Sequence, residues 1–331
     1  MIKSTEDSTL NRIADSLERI ATSMENTERR DTNISRKVRP KIAIYSNKGW
    51  SIGRIHDNVM AYLSNDYDFK FFNWHNNNDK KEFNSTWNDY DVILGNGTIS
   101  TLGEEFPIFY KKAICVSWAE PNLEGGFFVE LIGDHPDILW GAPTPTIQKS
   151  LKDHFNINAM PVIAGVDKKD FFPTRKINKI TTLGLNGIPF TNEGWDLIKR
   201  PDMMVDITHR AKLKHKFIYN QPLTDNHDLY KDIDMYICTS SSEAGPYGIA
   251  EAAFCKIPVI STPVGYASKF KSIKTFTTVD EAVSIINDLN SNPKKLEKYI
   301  NDVYEELTRE LNWEHVANTY WKPLIEKRIN A

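Results

Sequence analysis

Short apolar runs alternate with amphipathic stretches from Pro40 almost to the end of the chain. The runs that we interpret as strands are KIAIYS (41–46), FKFFNW (69–74), DVILGN (91–96), AICVSW (113–118), ITTLGL (180–185), KFIYN (216–220), MYICTS (235–240) and PVIST (258–262). The stretches between them, such as IHDNVMAYLS, have helical spacing of apolar residues. This alternation predicts parallel sheets covered by helices on both faces. A break at 161–176 predicts two doubly wound, Rossmann-like domains with a cleft between them.

The N-terminal stretch has a different pattern. Its apolar residues are spaced alternately by three and four, at Leu10, Ile13, Leu17, Ile20 and Met24. This is the seam of a coiled coil, but two heptads are marginal alone, so we predict homo-oligomer formation through this helix. Docking on the body of the protein and contact with a membrane surface remain alternatives. Residues 1–38 are thus interpreted as a helix followed by a charged linker.

The composition narrows the class of protein. With 40% hydrophobic residues, 26% charged residues and a net charge of −3, the chain is typical of a soluble globular protein. This charge does not indicate general affinity for nucleic acid. No run reaches the roughly 18 apolar residues of a membrane span, and the N-terminus lacks a signal-peptide core, so a cytoplasmic location is expected. The three cysteines have no CxxC spacing and are predicted to be buried thiols.

The stretch CTSSSEAGPYGIAEAAFCKIPVISTPVG (238–265) follows a predicted strand and therefore lies at the carboxyl edge of the second sheet. Gly245 and Gly248 allow close backbone approach, and Ile249 opens a helix whose N-terminal amides suit a phosphate group. Glu251, one turn into this helix, is placed to accept hydrogen bonds from a ribose diol, and Glu243 to contact a group attached to the phosphate. A capping interaction of Glu251 at the helix start is the alternative.

The E-x7-E spacing of Glu243 and Glu251, followed by EAAFCKIPVISTPVG, resembles the donor-binding signature of retaining glycosyltransferases of family 4. VIAGVDKKDFFP (162–173) and LTDNHDLYKDIDMYICTS (223–240) are similar to neighbouring segments of that family. KIAIYSNKGWSIGRIHDNV looks like its first strand, glycine loop and helix. The resemblance implies the GT-B fold, with an acceptor domain at 39–165 and a nucleotide-sugar domain at 166–310. NWEHVANTYWKPLIEK resembles the helix that returns to the first domain, here within 311–331.

The resemblance also implies roles for single residues. Glu243 would contact the donor sugar and Glu251 the ribose. The further donor-binding positions that it implies are Tyr247, Gly248, Ile249, Ser242, Gly184, Gly49 and Gly53.

The sequence departs from the family in two places. Leu185 and Glu193 stand where the family has an Arg and a Lys that hold the diphosphate. The candidate replacements are Lys48, Arg54, Lys199 and Arg200, of which we expect Lys48 and Arg54 at the donor. The fourth strand has Trp118 and Glu120 in place of the family's histidine. His56 and His135 are candidate catalytic replacements that would bond a sugar hydroxyl.

We therefore expect a retaining glycosyltransferase, with hexosyl transfer favoured. Its donor would be a nucleotide-diphosphate sugar and its acceptor is unknown. The resemblance implies that no metal or other cofactor is required, because the departing diphosphate deprotonates the acceptor. A degenerate GT-B protein that binds a nucleotide sugar or a partner is the alternative. A macromolecular acceptor such as modified DNA or a surface polymer also stays open, and Trp74, Trp87, Trp118 and Trp140 are residues that would stack on it.

Overall fold

The structure is a computed structural model that describes residues 38–48, 51–96, 110–118, 137–186, 195–218, 230–245 and 247–331. The first sheet has six strands: β1 (Lys41–Ser46), β2 (Asp68–Asn73), β3 (Val92–Asn96), β4 (Ala113–Val116), β5 (Leu139–Ala142) and β6 (Met160–Pro161). They lie in the order β2-β1-β3-β4-β5-β6, and every pair is parallel.

The second sheet repeats this arrangement with five strands: β7 (Thr182–Asn186), β8 (Lys214–Ile218), β9 (Met235–Cys238), β10 (Val259–Ser261) and β11 (Lys274–Thr275). Their order is β11-β10-β9-β7-β8, again all parallel. Counted from its own first strand, each sheet begins 2-1-3-4-5, which is a doubly wound order. The direction of winding reverses between β1 and β3 in one sheet and between β7 and β9 in the other. Ligands bind at the carboxyl ends of strands at such reversals.

Helices lie between the strands of both sheets and also follow the last strand. They are α1 (Ser51–Leu63), α2 (Asn77–Thr86), α3 (Pro145–Phe155), α4 (Trp195–Lys199), α5 (Pro201–Ala211), α6 (Tyr247–Phe254), α7 (Val279–Asn290), α8 (Pro293–Glu310), α9 (Trp313–Val316) and α10 (Lys322–Ile329). Local sequence sets several of their ends. The Thr144 hydroxyl caps α3 by accepting from the backbone N–H of Ile147, and Asn156 ends this helix in the left-handed region. Thr278 and Glu281 form a capping box at the start of α7.

The central strands β1, β4, β9 and β10 are buried on both faces, which explains why they read as continuous apolar runs, whereas the edge strands β2 and β8 are partly exposed. Along β1, Ile42 and Ile44 point to one face and Ala43 and Tyr45 to the other, and all are at most 2% exposed. The three cysteines are buried, as predicted.

The C-terminal segment packs on the first sheet. After α9 the chain forms a π-helical turn at Ala317–Trp321 and continues into α10. The Trp321 indole N–H donates to the carbonyl of Ile163 at 2.9 Å, and the Lys322 ammonium pairs with Asp66 at 2.8 Å. The end of the chain therefore lies against the first domain, although the strands before it belong to the second.

The predicted architecture of two parallel, Rossmann-like sheets is confirmed, and each predicted strand overlaps an observed one. Strand β9 is shorter than the predicted strand at 235–240, because it ends at Cys238. Strand β8 begins at Lys214, two residues before the predicted start. Strands β5, β6 and β11 were not predicted. The N-terminal helix lies outside the described residues, and the predicted domain boundaries stay predictions. Within the described ranges, no helix combines the length and apolar character that crossing a membrane requires.

Candidate functional site

The loop between β9 and α6 lies at the reversal point of the second sheet. Chain direction places it at the carboxyl end of β9, next to the carboxyl end of β7. The loop includes Ser240 and Glu243, and the helix that follows carries Glu251. Both glutamates of the motif therefore lie at the edge where a doubly wound sheet binds its ligand.

Two glycines allow the loop and the start of α6 to pack closely against tyrosine rings. Gly245 has a φ of +146°, and a Cβ there would lie 2.8 Å from the Tyr266 ring. A Cβ on Gly248 would lie 2.2 Å from the phenol oxygen of Tyr236, on β9. The first turn of α6 thus rests directly on the strand, at a spacing that no larger residue permits without displacing Tyr236.

Glu251 is buried, with 3% exposure, and both of its carboxylate oxygens accept hydrogen bonds from side chains. The Tyr230 hydroxyl donates to Oε2 at 2.6 Å. The Arg54 guanidinium donates to Oε1 at 2.5 Å, and Arg54 lies on α1 of the first domain. Glu251 therefore takes part in an ion pair that joins the two domains.

Aromatic rings enclose the Arg54 guanidinium. Its central carbon lies 5.9 Å from the ring centre of Phe171 and 5.8 Å from that of Tyr247, within cation–π range. Burial lowers the pKa of Arg54, but the charge and hydrogen bond of Glu251 outweigh burial and raise it overall. Burial, followed by the charge of Glu251, raises the pKa of Tyr230 well above its ordinary value. Arg54 is thus a permanent cation and Tyr230 a neutral donor.

Glu243 has a comparable set of partners within the second domain. Its Oε1 accepts from the Ser240 hydroxyl at 2.7 Å and from the ammonium group of Lys199, the last residue of α4. The neighbouring Arg200 is used differently, because its guanidinium donates to the backbone carbonyls of Thr239 at 2.6 Å and Ser240 at 3.1 Å. Lys199 therefore pairs with the motif, whereas Arg200 braces the backbone of its loop.

The first strand of the second domain, β7, contributes one polar contact near the site, from the Asn186 amide to the Tyr230 hydroxyl at 3.2 Å, and no positive charge. Leu185 is 2% exposed and belongs to the core. Gly184 lies inside β7, where a Cβ would meet the Ile233 side chain at 2.4 Å. Close packing against Ile233 explains why position 184 is a glycine. A role of Gly184 in donor binding stays a prediction. Glu193 lies outside the described residues.

The first domain contributes the turn between β1 and α1. A Cβ on Gly53 would lie 2.5 Å from the carbonyl oxygen of Asn47 and 2.6 Å from that of Lys48, so the helix start lies directly on this turn. The Lys48 ammonium lies 5.7 Å from the ring centre of Phe71. Gly49 lies outside the described residues, as do Glu120 and His135.

His56 is fully buried among aromatic side chains. Its ring centre lies 6.5 Å from that of Phe71 and 6.2 Å from that of Trp321, and neither ring nitrogen has a hydrogen-bond partner among the described residues. Burial lowers the pKa of His56 to about 3. The Trp118 indole N–H, on a ring stacked against Trp321 at 6.4 Å, is also buried, with no partner in the part of the chain that the structure describes. His56 is therefore neutral at physiological pH, and its proposed contact with a sugar hydroxyl stays a prediction.

This environment predicts a pH dependence of stability. The ordinary pKa of 6.5 applies to His56 in the unfolded chain, against about 3 in the folded protein. Between these values the unfolded state binds more protons, so the stabilisation is complete above pH 6.5 and is lost as pH falls toward 3. We expect the wild type to lose about 2 kcal/mol of unfolding free energy between pH 7 and pH 5 from this group alone.

Urea unfolding of the wild type and of His56→Leu at both pH values measures this loss. The variant is expected to lack this component of the pH dependence, and a variant at the exposed His75 is expected to retain it. An identical change in unfolding free energy for wild type and His56→Leu would contradict the assignment.

The structure thus brings together Glu251, Arg54, Tyr247 and Tyr230 in one group, and Glu243, Ser240 and Lys199 in another. Ser242 is half-buried in the same loop, and Ile249 is buried in the core, so its contribution at the site is limited to its backbone. Sequence reasoning did not identify Tyr230, Phe171 or Ser240. Tyr230 lies in the stretch 223–240 that leads to the motif, and the resemblance of this stretch to the family was the available signal.

A small cavity lies between the domains beside the Arg54 and Glu251 pair. Asn58, Asp167 and Asp170 are among the residues that line it. Burial, followed by the charge of Asp167, raises the pKa of Asp170. Among the residues that the structure describes, no group of three or more His, Cys, Asp or Glu side chains is arranged to hold a metal ion.

Comparisons with known proteins agree with this geometry. Residues 199–306, which include both glutamates and Lys199, match the family model described as Glycosyl transferases group 1. Similar solved structures include the sucrose-phosphate synthase from Thermosynechococcus elongatus, with a TM-score of 0.64, 11% identity and coverage of 87% of this chain and 99% of that chain. None of the curated protein sequences matches the chain.

Two further structures are glycosyltransferases by their own descriptions. A glycosyltransferase from Rickettsia africae has a TM-score of 0.60 and 12% identity, covering 88% of this chain and 99% of that chain. The lipopolysaccharide outer core galactosyltransferase WaaB has a TM-score of 0.58 and 12% identity, with 87% and 99% covered. Likeness at these identities shows the fold, and the predicted GT-B fold is confirmed.

Proposed function

We propose that the protein is a retaining glycosyltransferase that moves a sugar, with hexosyl transfer favoured, from a nucleotide-diphosphate sugar to an acceptor hydroxyl. One observation carries the proposal: Glu243 and Glu251 lie together at the ligand-binding edge of the second sheet, inside the segment that matches the group 1 family. Both carboxylates already accept hydrogen bonds from hydroxyl groups, of Ser240 and Tyr230. Acceptors of this kind suit the hydroxyls of a ribose and a sugar.

The proposed roles follow from position. Glu251 accepts from the ribose and Glu243 from the donor sugar, while the first-turn amides of α6 face the diphosphate. During transfer the bond between the anomeric carbon and the diphosphate oxygen breaks, and the acceptor oxygen bonds to the same face of the sugar. The acceptor proton passes to the departing diphosphate, so no protein nucleophile is needed. We propose further that neither a metal nor another cofactor is required.

A binding protein without turnover is the second candidate. It is favoured by Leu185, a core residue at a position where the resemblance places a diphosphate-binding arginine. The acceptor, including a macromolecular one, and assembly through the helix around Leu10–Met24 stay predictions.

A thermal-shift panel of UDP, GDP, ADP and their common sugar conjugates tests the proposal. Ligand that binds the folded state stabilises it by about 2.7 kcal/mol at a hundredfold excess over Kd, and the melting temperature rises accordingly. We expect one base to give a shift that Glu251→Ala abolishes, and donor turnover with retained anomeric configuration by NMR. A shift without turnover for any acceptor in a broad screen would favour the binding protein. The absence of any shift would refute the proposed function.

A further inference from the structure

Each glutamate of the motif holds one cation. Lys199 pairs with Glu243, and Arg54 pairs with Glu251. The side chains are mostly shielded from water, with exposures of 27% for Lys199, 15% for Glu243, 25% for Arg54 and 4% for Glu251. Shielded charges are costly unless they are paired, so these two cations balance the charge of the motif in the unliganded protein.

A nucleoside diphosphate needs cations at the same place. It brings at least two negative charges to an edge that already carries two carboxylates, and leaving-group charge must be stabilised there. The buried Leu185 cannot supply a positive charge. Arg200 is committed to the backbone carbonyls of Thr239 and Ser240. Among the described residues, Arg54 and Lys199 are the cations that pair with the two glutamates of the motif.

We infer that Arg54 and Lys199 grip the diphosphate of the donor and that the two glutamates hold these cations until the diphosphate replaces them. The inference rests on the proposed function. When the cations turn to the diphosphate, each freed carboxylate oxygen accepts a hydrogen bond from a ribose or sugar hydroxyl. Every charge stays paired throughout the exchange, because the ligand supplies both the anion for the cations and the donors for the carboxylates.

The proposed exchange also changes the ion pair that links the two domains. Arg54 lies on α1 of the first domain and Glu251 on α6 of the second. Transfer of Arg54 from Glu251 to the diphosphate keeps the first domain bound to the site through the ligand. Tyr230 remains bonded to the other oxygen of Glu251 and holds the carboxylate in position. The ligand therefore replaces a direct interdomain pair by one that passes through the diphosphate.

Two consequences distinguish exchange from simple proximity. The cations must confer preference for a diphosphate over a monophosphate. In addition, Glu243 must compete with the diphosphate for Lys199, so that removing the carboxylate strengthens diphosphate binding, and does so only while Lys199 is present.

Isothermal titration of UDP, GDP and ADP and of UMP, GMP and AMP tests both consequences. For the base that binds, we expect the wild type to prefer the diphosphate, and Lys199→Met and Arg54→Met each to reduce that preference about tenfold, as for loss of one charge-assisted hydrogen bond. Glu243→Gln is expected to tighten diphosphate binding severalfold, and this gain should vanish in Lys199→Met/Glu243→Gln. Lys176→Met, which removes the exposed partner of Glu297, is the matched control and should change nothing.

Arg54→Met leaves Glu251 without its cation, so Arg54→Lys is measured beside it and is expected to retain part of the preference. Unchanged preference in Lys199→Met and in both Arg54 variants, with nucleotide binding intact, would overturn this inference alone. Tighter diphosphate binding from Glu243→Gln even without Lys199 would overturn the competition. Failure of all six nucleotides to bind the wild type would refute the proposed function and this inference with it.

Discussion

Glu243→Gln is expected to lower kcat by about 100-fold or more, while the affinity for the nucleoside diphosphate becomes severalfold tighter. Glutamine keeps the shape of the side chain but loses the charge that strengthens a hydrogen bond to the reacting sugar as positive charge develops there. A group that acts mainly in the transition state affects kcat rather than ground-state binding. Because Lys199 loses its anionic partner, it becomes free to contact the diphosphate.

Single-turnover rates with the donor sugar, together with titration of the diphosphate, separate the two effects. Glu297→Gln is a suitable control, because Glu297 is an exposed carboxylate whose ion pair with Lys176 lies on the surface. Its kcat is expected to match that of the wild type. Equal losses in kcat and in diphosphate affinity for Glu243→Gln would contradict the assigned role.

The fold could be predicted because its central strands are buried on both faces and therefore appear as apolar runs of strand length. Strand β5, with the sequence LWGA, is apolar too, but it lacks β-branched residues and contains Gly141, so its strand propensity is weak. A Cβ on Gly141 would lie 3.0 Å from the Val162 side chain and 3.3 Å from Leu324, so packing of the C-terminal helix favours the glycine. Strands β6 and β11 have two residues each, which is too short for a periodic pattern.

The candidate site was predictable where its residues are close in sequence and obscure where they are distant. Glu243 and Glu251 belong to one local motif, whereas the ion pair of Glu251 with Arg54 spans 197 positions. Nothing in a single sequence couples residues at that separation. From the sequence, Arg54 and Lys199 could be named only as candidate cations for the diphosphate. Which glutamate each one pairs with is set by the three-dimensional fold.

His56 illustrates a signal that was present in the pattern. It shares the spacing of Val59 and Leu63, at three and seven positions, and all three are fully buried on one face of α1. A polar residue type suggested a surface or site position, but helical periodicity assigns it to the core. The aromatic neighbours Phe71 and Trp321 come from other elements and could not be identified from that spacing.

Glu251→Ala is expected to have the largest effect on stability, lowering the free energy of unfolding by about 3 kcal/mol. Removal of the carboxylate leaves the mostly buried Arg54 guanidinium without an anion and the buried Tyr230 hydroxyl without its acceptor. Breaking a shielded pair on one side costs more than removing both members, because the remaining charge stays desolvated. Urea unfolding at neutral pH measures the loss.

The double variant Arg54→Met/Glu251→Ala separates this cost from the loss of packing. Methionine keeps an unbranched apolar side chain beside Phe171 and Tyr247 but removes the stranded charge. We expect the double variant to recover at least about 1 kcal/mol relative to Glu251→Ala, a coupling of the size found for contacting residues. Glu297→Ala, at an exposed pair, should stay within about 0.5 kcal/mol of the wild type. If the double variant instead lost the sum of the unfolding free energies lost by Arg54→Met and by Glu251→Ala, the Glu251 carboxylate would not be balancing the charge of Arg54. The two residues would then not be the ion pair that links the two domains.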